Sequence, residues 1–359
     1  MSDAERGEES RADAQGEQLT WVPPSDWVRI RTIDAHAAGE PLRVVVGGFP
    51  ELQGETLLAR RRFAKEKLDH FRTALMWEPR GHADMYGCLL TSPVTPGADL
   101  AVVFLHNEGY STMCGHGIIA VTTVALETGL LPRSGKDDEE VRIDTPAGLV
   151  TARARVEQGR VKSVAFRNVP SFVLGLDERT RVSGLGRIRY DLAFGGTFYA
   201  YVRAAEVGLS CTPRDLRGLV EIGTAIKRAV TESRSICHPE QPDLGFLYGT
   251  IFTGPSLSSD ANSRSVCVFA EGEVDRSPTG TGVSGRLAIL FARGEIKENE
   301  RYVVESIVGT RFAGRVVATT RCGSLPAVVP EIEGSAYITG QSEFLLSPDD
   351  ALRYGFLLR

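Results

Sequence analysis

The residues best suited to chemistry sit in two short segments far apart in the chain. Residues Met113 to Leu131 read MCGHGIIAVTTVALETGLL, and Pro278 to Ile296 read PTGTGVSGRLAILFARGEI. In each, one residue with a nucleophile-type side chain, Cys114 or Thr279, precedes Gly-x-Gly, and an apolar stretch follows that closes on a glycine. Such a stretch, with glycine where a C-cap belongs, predicts a helix, so aligning Cys114 with Thr279 aligns two helix starts. A helix start carries unpaired backbone N–H groups and a partial positive charge, which together bind carboxylates. Two facing starts would grip one carboxylate from both sides. Gly115, Gly117, Gly280 and Gly282 have no Cβ and let the backbone close around an anion. The same field is expected to lower the Cys114 pKa from the free-thiol value of about 8.5, which would make its thiolate a base near neutral pH. Taken alone, Cys114 reads as a buried structural thiol and Gly-x-Gly as a tight turn; the matched pair points to a site.

The two predicted helices carry apolar residues on most faces, Ile118, Ile119, Val121, Val124 and Ala125 in one and Val283, Leu287, Ile289, Leu290 and Phe291 in the other. A helix of that kind is enclosed by other structure. Short β-branched or apolar stretches recur around the first, at Val28 to Thr32, Leu42 to Val46, Leu100 to Leu105, Val141 to Ile143 and Val150 to Val156. Around the second they recur at Arg187 to Ala193, Phe198 to Arg203, Leu247 to Phe252, Ser265 to Phe269 and Arg301 to Glu305. Helical spacing predicts a surface helix over Thr56 to Arg72 and another from Asp215 to about Thr231. The halves read as architecturally alike.

A chain of 359 residues exceeds the size at which one core keeps growing, so two domains with a cleft between them are expected. Hydrophobic residues at 42% and charged ones at 24% are ordinary for a globular protein, and no apolar run approaches the roughly 18 residues of a membrane span. The net charge of -5 is spread without a basic block, which leaves counterion-release binding to nucleic acid little to act on. A small-molecule partner is expected, without membrane or nucleic acid, and a homodimer stays open. The six cysteines contain no CxxC pair and the N-terminus lacks a secretory pattern, which reads as reduced thiols in the cytoplasm. The acidic, apolar-poor N-terminus, to about Gln18 and at most through 1–25, reads as a disordered tail.

Taken together, Asp34-Ala-His-Ala-Ala-Gly-Glu40, Glu78-Pro-Arg-Gly-His82, His106-Asn-Glu-Gly-Tyr110, Met113-Cys-Gly-His-Gly117 and Asp275-Arg-Ser-Pro-Thr-Gly-Thr-Gly282 resemble the proline racemase family over nearly the whole chain after the tail. That family includes 4-hydroxyproline epimerases and trans-3-hydroxy-L-proline dehydratases. The resemblance implies an α/β (α+β) fold like that of diaminopimelate epimerase: two pseudo-symmetric halves, each a curled sheet or barrel around a central helix, with the site between them. The implied bounds are 26–187, rejoined by a C-terminal strand within 340–359, and 188–339.

In the family's racemases and epimerases two cysteines face opposite sides of the substrate Cα. Here Thr279 holds the second position, and its hydroxyl is too weakly acidic to act as a base or ready proton donor near pH 7. That replacement, with Phe246-Leu-Tyr-Gly-Thr-Ile251, resembles the dehydratase branch. The implied reaction is removal of the α-proton by Cys114 and loss of water to Δ1-pyrroline-2-carboxylate. By the same match the N–H groups of Gly115, His116, Gly280 and Thr281 would hold the carboxylate, and His116 and Asp275 would meet the ring nitrogen or orient the catalytic groups. His238, in Cys237-His-Pro239, is expected at the pocket, with a loop residue as the plainer reading. Thr279 would donate a hydrogen bond or fill the space of the lost thiol. His36, Glu40, Arg80 and His106 are expected to fix the loops around the site rather than bind metal, because no helical i, i+4 histidine pair occurs. With no dinucleotide fingerprint and no recognisable Schiff-base lysine, no cofactor is expected. The alternatives are an epimerase or racemase that tolerates Thr279, and a non-catalytic imino-acid-binding protein.

Overall fold

The protein is seen here as a computed structural model that describes residues 21–358. The expected tail lies outside the described residues as far as position 20. The first half runs β1 (Val28–Ala37), β2 (Glu40–Gly47), α1 (Leu57–Lys67), α2 (Asp69–Met76), β3 (Tyr86–Thr91), β4 (Leu100–His106), α3 (Gly115–Glu127), β5 (Asp138–Thr145), β6 (Gly148–Glu157) and β7 (Arg160–Arg167). The second runs β8 (Ser171–Val182), β9 (Gly186–Phe194), β10 (Phe198–Arg203), α4 (Leu216–Ser233), β11 (Leu247–Gly254), β12 (Ser263–Phe269), β13 (Glu273–Val274), α5 (Gly280–Ala292), β14 (Tyr302–Glu305), β15 (Arg311–Cys322) and β16 (Leu325–Gly334). A last strand, β17 (Ala336–Leu346), follows.

Strand pairing closes the second half into a ring. The order is β8, β9, β10, β11, β12, β14, β15, β16 and back to β8, with β10–β11 and β12–β14 parallel and the rest antiparallel. The first half repeats that order as β17, β1, β2, β3, β4, β5, β6, β7, again with its two parallel pairs, β2–β3 and β4–β5, in matching places. There β7 hydrogen-bonds to β16, so the two curled sheets share a seam. The strand β8 lies before the expected change-over at 187/188, yet it pairs with β9 and β16.

Each curled sheet encloses one helix, as the all-round apolar pattern required. In α3 every residue from Gly115 to Leu126 is buried, and in α5 the buried set includes Val283, Leu287, Ile289 and Leu290. The strands supply the other side of these cores through period-2 alternation, clearest in β6, where Val150, Ala152, Ala154 and Val156 point inward. In α4 only Leu219, Gly223, Ile226 and Val230 are buried, the one-sided spacing of a helix lying on a sheet. The helix expected over Thr56 to Arg72 is broken at Leu68, which leaves the helical region at φ -125°. The break turns Arg72 inward, where it pairs with Asp69 at 2.7 Å and donates to the His106 carbonyl at 2.9 Å.

Candidate active site

The central helices meet head to head. A Cβ built on Gly115 would lie 2.5 Å from the Gly280 Cα, and one on Gly280 would lie 2.8 Å from the Gly115 Cα. No side chain fits between them, which is why both first helical positions are glycine. At the α3 head Cys114 is extended, at φ -146°, and its Sγ accepts the Gly117 N–H at 3.2 Å in the manner of an N-cap. At the α5 head Thr279 sits at φ +66° and caps nothing with its side chain. A β-branched residue in that region is a backbone outlier that costs about 1–3 kcal/mol. The Thr279 N–H donates to Ser277 Oγ at 3.1 Å, while Oγ1 is buried without a hydrogen bond of ordinary geometry. It lies close enough to the Cys267 thiol to draw that group's pKa down against the larger effect of burial.

Between the heads is a pocket to which the first half gives Cys114, His116 and Tyr86 and the second half Thr279, Tyr199 and Cys267. Asp275, Tyr248 and Phe269 complete its wall. As folded, the cavity offers about 20 Å³, which is room for about one water molecule. The pocket must therefore widen to admit a larger ligand.

The Cys114 thiol departs from expectation. Burial pushes its pKa well above the ordinary range, and Asp275 and Glu40 push the same way, against the Gly117 N–H and the Tyr86 hydroxyl. The helix-start effect is present but smaller than desolvation, because the sequence pattern carries no measure of how completely the thiol is enclosed. His116 Nδ1 lies 3.2 Å from Cys114 Sγ, and burial holds this imidazole below its usual pKa. Asp275 Oδ1 accepts the Ser277 N–H at 2.7 Å, which shapes the turn into α5. Beside it Glu40, pushed upward by burial and then by Asp275, accepts the Arg276 N–H at 2.7 Å.

Cys114, Gly115, His116, Asp275, Thr279, Gly280 and Thr281 all line this one pocket. His238 does not: its ring packs 4.8 Å from Phe194 and its Nε2 faces Cys322 Sγ at 3.8 Å. The His-Pro loop packs its histidine on Phe172 of β8, Phe194 of β9 and Phe198 of β10, so the loop reading replaces the pocket one. Glu40 and His106 buttress the site, the latter through a 3.6 Å contact with Glu273 and a stack on Tyr86. His36 and Arg80 do other work, at Tyr337 and at the Leu345 and Arg353 carbonyls.

Sequence reasoning missed Tyr86, Tyr199, Tyr248, Cys267 and Phe269. They stand at or near the strand ends of β3, β10, β11 and β12 that open toward the helix heads, and only the ring topology brings those ends together. The one available signal was that Tyr248 falls inside Phe246-Leu-Tyr-Gly-Thr-Ile251. Among the described residues no cluster of His, Cys, Asp and Glu could hold a metal ion, and no helix is long and apolar enough to cross a membrane.

The family model described as proline racemase matches residues 32–357. The chain belongs to the proline racemase family. Relatives named trans-3-hydroxy-L-proline dehydratase include one from Colwellia psychrerythraea, 44% identical over 94% of this chain and 96% of its own length, and one from Homo sapiens, 45% identical over 94% and 98%. Among solved structures of the family, a hydroxyproline epimerase from Agrobacterium vitis with bound trans-4-hydroxy-L-proline superposes with a TM-score of 0.87 at 33% identity, over 92% of this chain and 96% of that one. A PhzF-family protein from Bacillus anthracis, 14% identical with a TM-score of 0.54 over 88% and 99%, shares the fold.

Proposed function

We propose that this chain is a hydro-lyase that converts trans-3-hydroxy-L-proline to Δ1-pyrroline-2-carboxylate, with Cys114 as the base. The observation that carries the reading is the unequal pair of helix heads: a thiol at α3 and, in the equivalent place at α5, Thr279. Removing an α-proton and expelling a hydroxyl from the same ring face needs one base and nothing opposite it. In trans-3-hydroxy-L-proline the 3-hydroxyl is trans to the carboxylate and so lies on the face of the α-hydrogen. The family relatives at 44% and 45% identity carry the name of this activity.

The N–H groups of Gly115, His116, Gly280 and Thr281 occupy the first two positions of their helices and have no intrahelical acceptor. They hold the carboxylate and stabilise the charge that grows on it as the α-proton leaves. Asp275 faces the ring nitrogen, whose positive charge acidifies the α-hydrogen and offsets the crowding of carboxyl groups around Cys114. Loss of water leaves an enamine that tautomerises to the cyclic imine. No cofactor takes part in these steps. The six free thiols fit a reducing compartment such as the cytoplasm.

One observation favours a second reading: Cys267 puts another thiol on the Thr279 side of the pocket. If it served as the opposing base, the protein would epimerise 4-hydroxyproline. The deciding experiment mixes the protein with trans-3-hydroxy-L-proline, without added cofactor, and follows the cyclic imine, with Cys114→Ser and trans-4-hydroxy-L-proline as controls. Imine that Cys114→Ser abolishes is the expected result; epimer from the 4-hydroxy isomer would overturn it in favour of Cys267, and no reaction with either would leave a binding protein.

A further inference from the structure

We infer that Tyr86 is the acid that protonates the departing 3-hydroxyl, an assignment that rests on the dehydratase reading above. Hydroxide is a poor leaving group, and the 3-hydroxyl leaves on the Cys114 face, so the acid must stand on that wall. The Tyr199 hydroxyl belongs to the far wall and is engaged with Thr281 Oγ1 at 2.8 Å. On the near wall His116 faces the thiol itself at 3.2 Å. Tyr86 remains. Its ring meets the His116 ring edge-on at 4.8 Å and stacks on His106, which fixes where the phenol points. Its hydroxyl bonds Ser111 Oγ, lies 3.3 Å from the Tyr248 hydroxyl and stands beside the Cys114 thiol. Burial raises its pKa well above the ordinary value, so it carries its proton at neutral pH and has one to give.

The step balances. Cys114 thiolate takes the α-proton and leaves the electron pair of that bond as a carbanion shared with the carboxylate; the pair then becomes the Cα=C3 bond as the C3–O bond breaks. The leaving oxygen takes the Tyr86 proton and departs as water. The Tyr86 phenolate then takes the proton from the Cys114 thiol, which restores both groups. Because Tyr248 comes from the second half, the hydroxyl cluster draws on both halves.

Tyr86→Phe keeps the ring contacts and removes only the acid. In deuterium oxide, imine formation by this variant should fall about 100-fold or more, the usual contribution of a general acid. The unreacted trans-3-hydroxy-L-proline should meanwhile gain α-deuterium, because the carbanion returns to Cα when the hydroxyl cannot leave. Imine at the wild-type rate would overturn the assignment and leave the Cys114 thiol to return its own proton. Loss of imine and exchange together would also overturn it, by showing that Tyr86 serves the base. If Tyr86→Phe does not fold, Ser111→Ala carries the test, with a fall of about tenfold expected and an unchanged rate decisive against the proposal. Wild-type protein that makes no imine would sink the substrate reading instead, an outcome separable from any of these.

Discussion

The heads of α3 and α5 are the same device built twice and used differently. Both begin with glycine at the point where the helices touch, both run into a fully enclosed core, and both are reached from equivalent strands of the two rings. At one head the cap residue is relaxed and its sulfur accepts a backbone N–H; at the other it is held at φ +66°, and its hydroxyl caps nothing and faces the Cys267 thiol. The repeated strand order explains the shared geometry. The heads differ at Met113 against Pro278, Cys114 against Thr279 and His116 against Thr281; the chemistry is assigned to the relaxed cysteine, and the strained backbone belongs to the threonine opposite it.

The largest effect expected from this contrast is on activity. Cys114→Ser should lower kcat for imine formation by about 1,000-fold or more, and Cys267→Ser by no more than a few-fold. Comparable losses would mean that both walls carry a base. Next comes the pH profile. Because burial raises the Cys114 pKa, the thiolate is the minor form at pH 7, and kcat/KM should climb about tenfold per pH unit above neutrality until that pKa is reached. A profile already flat at pH 7 would mean that the helix-start field outweighs desolvation. Thr279→Cys should add slow inversion at Cα of trans-4-hydroxy-L-proline, seen as epimer with solvent deuterium, while imine formation persists. An unaltered 4-hydroxy isomer would show that the second head lacks more than a thiol. The smallest effect is on stability: Thr279→Gly removes a β-branched side chain from a positive φ at the cost of a weak contact with the Cys267 thiol, and should raise or hold ΔG of unfolding within about 1 kcal/mol in a denaturant titration. A loss of several kcal/mol would point to a bond that Thr279 makes in solution.

Much of the architecture was legible because it rests on periodicity and repetition. The apolar faces of α3 and α5 and the strands around them follow from patterns that survive in one dimension, whereas the return of the C-terminal strand was implied only by the family resemblance; β17 pairs with β1. The single helix expected over Thr56 to Arg72 was wrong at Leu68, where the demand to bury and pair Arg72 overrides local spacing. His238 was misplaced because a His-Pro dipeptide says nothing about which side of a loop faces the cleft. The tyrosines of the pocket were invisible because each is one aromatic residue in an ordinary apolar strand.

The sequence by itself determined the two helix heads, their glycines and the inequality of Cys114 and Thr279. These are local properties, written as residue types at fixed spacing, and no packing can alter them. The depth at which the thiol is buried, the contact of Gly115 with Gly280 and the meeting of Tyr86 with Cys114 were decided only when the rings closed. Desolvation and close approach depend on what surrounds a group in three dimensions, and those neighbours come from strands up to more than a hundred residues away.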